Sequence, residues 1–266
     1  MPKSPSDPAE NMLLRDRNEA EDNTADEVSG RFSKLLAIVP ALNEASSIEH
    51  VIGDIRSSAP DFDIVVVDDG STDATATLAR QAGARVLSLP FNLGIGGAVQ
   101  CGFTYAMENG YDIAVQVDGD GQHQAAALTR LVEELLNNRA DVVVGSRYLG
   151  AKEYKAPFVR RLGMVALSYL ISAIVRRKIT DPTSGLRAYN RKAIAFCARN
   201  YPGDYPEPEV IPLMARAGLR LVEVPVAMSQ RHSGQSSITW SRAFYYMVKV
   251  TLAIFIGVLR QSGVEE

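Results

Sequence analysis

The 266 residues predict an α/β fold: a mostly parallel central sheet with helices on both faces. Two observations carry that expectation. Short apolar runs recur at 35–39, 64–67, 85–87, 113–117 and 142–144, and segments of helical period lie between them near 45–57, 73–82, 96–108 and 124–138. The polar, glycine-containing motifs cluster just after those runs, where sheets of this kind collect ligands. A hydrophobic content of 46% suffices for one large domain with a small annex.

Residues 1–33 read as a disordered acidic tail, rich in Pro, Ser, Asp, Glu and Asn, with only Met12-Leu13-Leu14 apolar. The folded body, expected over 34–238, starts with Leu35–Val39, a run stopped by Pro40. Strand and helix then alternate as far as Gly145. Beyond it come a basic loop, an apolar helix-like stretch from Leu162 to Val175 within an amphipathic insertion over 162–178, and an irregular segment at Asp181-Pro182-Thr183-Ser184-Gly185. A second α/β portion runs to Met228, and 239–266 holds a long apolar helix and a short tail.

Net charge is −3, but it is unevenly placed. Residues 1–31 carry eight acids against four bases; from Arg147 to Lys192, eleven Lys or Arg face only Glu153 and Asp181. Nucleic acid is a poor partner for that basic cluster, which is interleaved with aliphatics and borders a carboxylate-rich cleft. Cys101 and Cys197 belong to no metal or redox motif, the N-terminus has no apolar signal region, and no run reaches the ~18–20 apolar residues that span a bilayer. The expected location is cytoplasmic, peripheral at the inner face of the cell membrane.

The motifs follow the strands. Pro40-Ala41-Leu42-Asn43-Glu44 ends the first, where it reads as a helix cap or a nucleoside contact. Asp68-Asp69-Gly70-Ser71-Thr72-Asp73 ends the second; it forms a capped turn, or offers Asp69 to a base or ribose. Asn92-Leu93-Gly94-Ile95-Gly96-Gly97 precedes the third helix, and glycines there let backbone amides approach a phosphate or sugar. A dinucleotide fingerprint would instead follow the first strand, so a dehydrogenase reading is poor. The sharpest signal is Val117-Asp118-Gly119-Asp120-Gly121-Gln122-His123, a buried strand that ends in two carboxylates and an amide at alternate positions. Oxygen ligands of this kind suit Mg²⁺ or Mn²⁺, ions that also hold substrate phosphates.

Together with Gly145-Ser146-Arg147-Tyr148, these motifs resemble glycosyltransferase family 2 in order and spacing. Asp181–Arg187 and Arg231-His232-Ser233-Gly234-Gln235-Ser236 narrow the resemblance to its dolichol-phosphate mannosyltransferase-like, polyprenyl-phosphate branch. The resemblance implies the GT-A fold, with a Rossmann-like sheet, and an inverting hexose transfer from a nucleoside-diphosphate sugar. By that resemblance Asp118, Asp120 and Gln122 hold Mg²⁺ or Mn²⁺, while Pro40, Ala41, Asn43, Glu44, Asp69, Gly94, Gly96 and Gly119 line the donor site. Arg231 and Ser233 add diphosphate donors. Family members commonly end this last motif with Lys, where this chain has Ser237.

The acceptor decides what further chemistry is required. A lipid phosphate is already ionised and asks only for cations, for which Arg147, Arg160 and Arg161 are candidates. A sugar hydroxyl needs a base, for which Asp181, Glu207 and Glu209 are candidates. Tyr205-Pro206-Glu207-Pro208-Glu209 reads as a rigid surface loop or as a wall of the acceptor site. Cations bracket the 162–175 stretch, and the aromatic C-terminal segment repeats the theme; both suit a membrane surface, a small membrane protein or a second subunit. The leading reading is transfer to a polyprenyl phosphate at that surface. The alternatives are a glycan-extending transferase with a hydroxyl acceptor, a sugar nucleotidyltransferase, and a lipid-docked scaffold without activity.

Overall fold

A computed structural model describes residues 34–119, 126–149, 158–226 and 249–256, all within the compact unit Lys34–Glu266. The expected tail over 1–33 and most of the expected C-terminal helix lie outside the described residues. Seven strands form one sheet: β1 (Leu35–Ala41), β2 (Phe62–Asp68), β3 (Arg85–Ser88), β4 (Ile113–Gln116), β5 (Val142–Ser146), β6 (Arg187–Asn190) and β7 (Leu221–Pro225). The helices are α1 (Ile48–Ser58), α2 (Thr75–Gln81), α3 (Gly94–Glu108), α4 (Ala126–Leu136), α5 (Phe158–Val175), α6 (Arg191–Asn200) and α7 (Pro206–Arg216). A further helical segment occupies 249–256.

The strand order is β3-β2-β1-β4-β6-β5-β7, and every pairing is parallel except the two that β6 makes with β4 and β5. The expected mostly parallel sheet is therefore present with one reversed strand in its middle. The order also reverses direction at β1, whose neighbours are β2 and β4. Chain crossovers leave on opposite sides there, so a crevice opens beyond the carboxyl ends of β1 and β4.

Pro40 makes that crevice possible. Proline is rare in central strands because it donates no ladder hydrogen bond. Here β4 follows β1 only as far as Ile38 opposite Gln116, after which Val117 N donates to Ile38 O at 2.9 Å and the strands part. Pro40 lies past the last shared bond, so its missing N–H costs that pairing nothing. The core is built from Leu36, Ile38, Val65 and Val67 under Val99, Phe103 and Ala106 of α3. Gly102 lets α3 settle on the sheet, since a Cβ there would collide with Ile38.

The proline-rich 205–209 segment is not a surface loop. Pro206 is the first residue of α7, where a missing N–H is harmless and φ is already helical. That places Glu207 and Glu209 in the first turn of a helix, near its positive end.

Candidate active site

The β1–β4 crevice is a cleft of about 250 Å³, lined by residues that include Pro40, Ala41, Glu44, Asp69, Gly94, Asp118 and Gly119. Seven of the expected donor-site residues thus meet at one place. A larger hollow of about 760 Å³ opens at the other ends of β1 and β2, beside Arg56, Asp63 and Tyr111. None of the motifs lies there, and its carboxylate already accepts the Tyr111 hydroxyl at 2.8 Å.

Neighbouring loops hold one another around the cleft. Asn43, at φ 56°, accepts Thr72 N at 2.9 Å on its side-chain oxygen, and its own N–H donates to Ser71 Oγ at 2.9 Å. Asn43 therefore fastens the loop after β1 to the loop after β2. Glu44 accepts the Ser47 hydroxyl at 2.7 Å, and the same hydroxyl reaches Gly119 O at 2.9 Å. Asp73 accepts Ala45 N at 3.2 Å, Thr75 N at 2.9 Å and the Thr75 hydroxyl, bonds that hold its carboxyl below the ordinary value.

Asp69 is buried, and both its oxygens are occupied: Oδ1 by Leu93 N at 2.7 Å and Oδ2 by Gly94 N at 3.0 Å. It anchors the start of α3, the position where a carboxylate satisfies amides that the helix itself leaves open. The glycines read differently from the expectation of a phosphate cradle. The Gly94 N–H is taken by Asp69 and by Asn92 Oδ1 at 2.8 Å. Gly96 faces protein, because a Cβ there would collide with the carbonyls of Pro202 and Gly203.

Asp118 is half-buried at the end of β4. Its carboxylate rests on the backbone of Gly185, where any Cβ would fall well inside contact distance of both oxygens. The 181–187 segment thus forms a wall behind Asp118. Asp120, Gln122, Arg231 and Ser233 lie outside the described residues, as do the side chains of Arg160 and Arg161.

In and beside that segment the structure gives two residues other surroundings than expected. Asp181, expected as a base, is fully buried; its Oδ2 accepts Arg147 N at 3.0 Å and Nε at 2.6 Å, and its Oδ1 accepts Nη2 at 2.6 Å. Arg147 Nη2 also donates to the Thr183 hydroxyl at 2.8 Å. A bidentate pair of this kind is among the strongest of side-chain contacts. It leaves Asp181 unsuited to proton abstraction and makes Arg147 a structural cation rather than an acceptor ligand. Glu223 of β7 supports the same turn by accepting Thr180 N at 2.9 and 2.8 Å and Asp181 N at 2.9 Å.

Glu207 and Glu209 diverge. Burial pushes the Glu207 carboxyl up, Arg187 opposes that, and Asp118 adds to it, which places Glu207 within electrostatic reach of the cleft floor. Glu209 is pushed up to about 7 by burial, with Asp204 adding to the rise and the backbone of Tyr205 opposing it. Among the described residues no cleft group contributes to that rise. Arg187, Gly185 and Glu223 received no site role from sequence alone; the first two were visible only as members of the 181–187 motif.

A protein-family model described as Glycosyl transferase family 2 matches residues 36–196. The undecaprenyl-phosphate mannosyltransferase of Micrococcus luteus is 34% identical over 82% of this chain and 93% of that protein. The polyprenol monophosphomannose synthase of Mycolicibacterium smegmatis is 30% identical over 82% of this chain and 85% of that protein. Among solved structures, Mycobacterium tuberculosis glucosyl-3-phosphoglycerate synthase in complex with Mn²⁺, UDP and glucosyl-3-phosphoglycerate aligns at a TM-score of 0.64 with 23% identity, covering 90% of this chain and 83% of that one. Likeness at that identity shows the fold, here GT-A.

Proposed function

The chain belongs to glycosyl transferase family 2, and we propose that it moves a hexose from a nucleoside-diphosphate sugar to a polyprenyl phosphate at a membrane surface. The observation that carries this reading is the Arg147–Asp181 pair. Asp181, in the wall beside the donor carboxylate, is the natural place for a base, and its lone pairs are committed to Arg147. An acceptor that arrives already ionised needs no base. The named relatives act on acceptors of that chemistry.

The donor occupies the β1–β4 cleft, with Pro40, Ala41, Glu44, Asp69 and Gly94 along the side built from β1, β2 and α3. Asp118 offers hard oxygen donors at the cleft floor, and Gly185 leaves room for them. That chemistry fits Mg²⁺ or Mn²⁺, which Asp118, Asp120 and Gln122 would hold. When bound, the ion supplies positive charge against the charge that develops on the leaving diphosphate. Arg231 and Ser233 are proposed to add donors to the same phosphates. Arg160 and Arg161 remain the proposed cations for the acceptor phosphate, and attack on the anomeric carbon from the side opposite the diphosphate gives inversion.

A surface for the lipid is supported by α5 and the 249–256 helix. Leu167 and Ile171 of α5, with Val250 and Ile254, face the core, while Val165, Tyr169, Leu252, Phe255 and Ile256 are exposed. Exposed Arg176, Arg177, Lys178 and Lys249 flank that face, the pattern of an interfacial helix meeting anionic headgroups. Among the described residues no helix is long and apolar enough to cross a membrane. A location at the inner membrane face, with a homo-oligomer or a small membrane protein as a further partner of this surface, belongs to the same proposal.

One observation favours a hydroxyl acceptor: Glu207 lies within electrostatic reach of Asp118 and could serve as the base. Both readings meet in one experiment, in which purified protein, Mn²⁺ or Mg²⁺, a short polyprenyl phosphate and a panel of UDP- and GDP-sugars are followed by mass spectrometry of the lipid. We expect one hexose on the phosphate, lost with EDTA and retained in Glu207→Gln. Transfer only to a hydroxyl acceptor, abolished by Glu207→Gln, would overturn the proposal.

A further inference from the structure

Arg187 heads the fully buried side chains by volume and is 0% exposed. Removing a guanidinium from water costs several kcal/mol unless its surroundings answer it, so its partners indicate its purpose. Its hydrogen bonds go to carbonyls, and the Glu207 and Asp181 carboxylates act on it only through space. Nε donates to Ser184 O at 2.8 Å, and Nη2 donates to Pro182 O at 2.9 Å and to Glu207 O at 2.8 Å. Nη1 has no hydrogen-bond partner among the described residues.

Those three carbonyls belong to two pieces of the active site. Pro182 and Ser184 lie in the wall that carries Gly185, the residue on which the Asp118 carboxylate rests. Glu207 lies in the first turn of α7. The backbone of Arg187 is itself opposite Gln116 in the β4–β6 pairing, two residues before Asp118. One residue therefore joins, through its side chain, the wall behind Asp118 and the helix start that delivers Glu207 and, through its backbone, the strand that delivers Asp118.

We propose that Arg187 is a positioning residue for the transfer: by bridging the 182–184 carbonyls to the Glu207 carbonyl, it holds Gly185 against Asp118 and fixes the donor carboxylate relative to the acceptor wall. The proposal rests on the function proposed above, because it takes Asp118 as a donor-side ligand. Lysine is no substitute. Its ammonium is a point charge on a flexible stem, whereas the planar fork reaches carbonyls in two directions at fixed spacing. Misplacement by about 1 Å at a reacting centre lowers a rate on the order of 10²-fold without weakening the binding of either substrate in proportion.

The test compares Arg187→Lys with Tyr111→Phe, a control that removes a hydroxyl bonded to Asp63 at the far ends of β1 and β2, away from the cleft. Thermal melts, calorimetric binding of UDP or GDP in the presence of Mn²⁺, and steady-state transfer are measured on each. Arg187→Lys is expected to fold and to bind the nucleotide within about threefold of wild type, while kcat falls about 10²-fold at a nearly constant donor KM. Tyr111→Phe is expected to match wild type in nucleotide binding and kcat. Gly185→Ala, which displaces Asp118 from the other side, lowers kcat similarly, and the double variant Arg187→Lys/Gly185→Ala falls no further than the worse single.

Wild-type kcat in Arg187→Lys, or losses that multiply in the double variant, would overturn the proposal. If Arg187→Lys does not fold, Arg187→Gln, which keeps N–H donors and drops the charge, is read by the same criteria. Nucleotide binding does not involve the acceptor. A wild-type protein that binds UDP or GDP with Mn²⁺ yet glycosylates no polyprenyl phosphate therefore sinks the functional reading alone, and Arg187 is then judged on the rate of donor hydrolysis.

Discussion

On the side of the cleft built from β1, β2 and α3, the acids Glu44, Asp69 and Asp73 are held by hydroxyls and backbone N–H groups. On the side built from β5, β6 and β7, Asp181 is held by Arg147, and at the opposite ends of the same strands Asp141 is held by Arg220. The first arrangement fixes carboxylates in place and leaves their charge in the cleft. The second neutralises Asp181 with Arg147, while Glu223 beside it is again held by N–H groups. A donor that brings a diphosphate to the first side therefore needs a cation from outside, while the Arg147–Asp181 pair is already balanced and stiffens its wall.

The largest effect on stability is expected from breaking the balanced pair. Asp181→Asn leaves the Arg147 guanidinium buried without its anion, a loss of about 3–5 kcal/mol. Chemical denaturation should show it as a lowered midpoint at an unchanged slope. The double variant Arg147→Met/Asp181→Leu should recover most of that stability, since an apolar pair of similar volume needs no counter-charge. Equal losses in the single and double variants would mean that the pair contributes packing alone.

A smaller effect sharpens the comparison through pH. Burial raises Glu209 from its ordinary value of 4.5 to about 7. The folded protein then binds more protons than the unfolded chain between those limits, so this group lowers stability as pH rises from 4.5 through 7 and has no further effect above. Glu209→Gln removes the slope. Its melting temperature should change less between pH 5 and pH 8 than that of wild type, with the gain at the alkaline end. Asp141 behaves oppositely: burial pushes it up, but the bonds from Arg220 and Asn190 prevail and hold it at about 2. Its contribution is present above about pH 4 and is lost as pH falls through 2.

The donor side was the more legible in sequence, for a physical reason. Parallel strands buried on both faces read as plain apolar runs, and β1, β2 and β4 were placed within a residue or two. Sequence grammar also put Asp69, Gly94 and Asp118 at strand ends, where the cleft is. It did not separate a carboxylate that caps a helix from one that touches a ligand, because both use the same residue at the same turn; Asp69 and Gly96 are the cases in point. The side built from β5, β6 and β7 was harder to read. β6 is four residues long and carries Arg187 and Tyr189 inward, so neither length nor polarity marks it as a central strand. The start of α7 was hidden by prolines that read as a loop until their position in the first turn is known. The pairing of Arg147 with Asp181 joins residues 34 apart in sequence, and no local pattern encodes it.

The most direct test is calorimetric titration of UDP and GDP into the wild-type protein and Asp118→Asn, each with Mn²⁺ and with EDTA. One of the nucleotides is expected to bind wild type with Mn²⁺ and to lose on the order of 10²-fold or more in affinity on chelation, a change of about 2.7 kcal/mol, with a similar loss in Asp118→Asn despite the metal. Equal affinity in all four conditions would contradict a metal-assisted donor site, since the cleft would then have balanced the diphosphate without help.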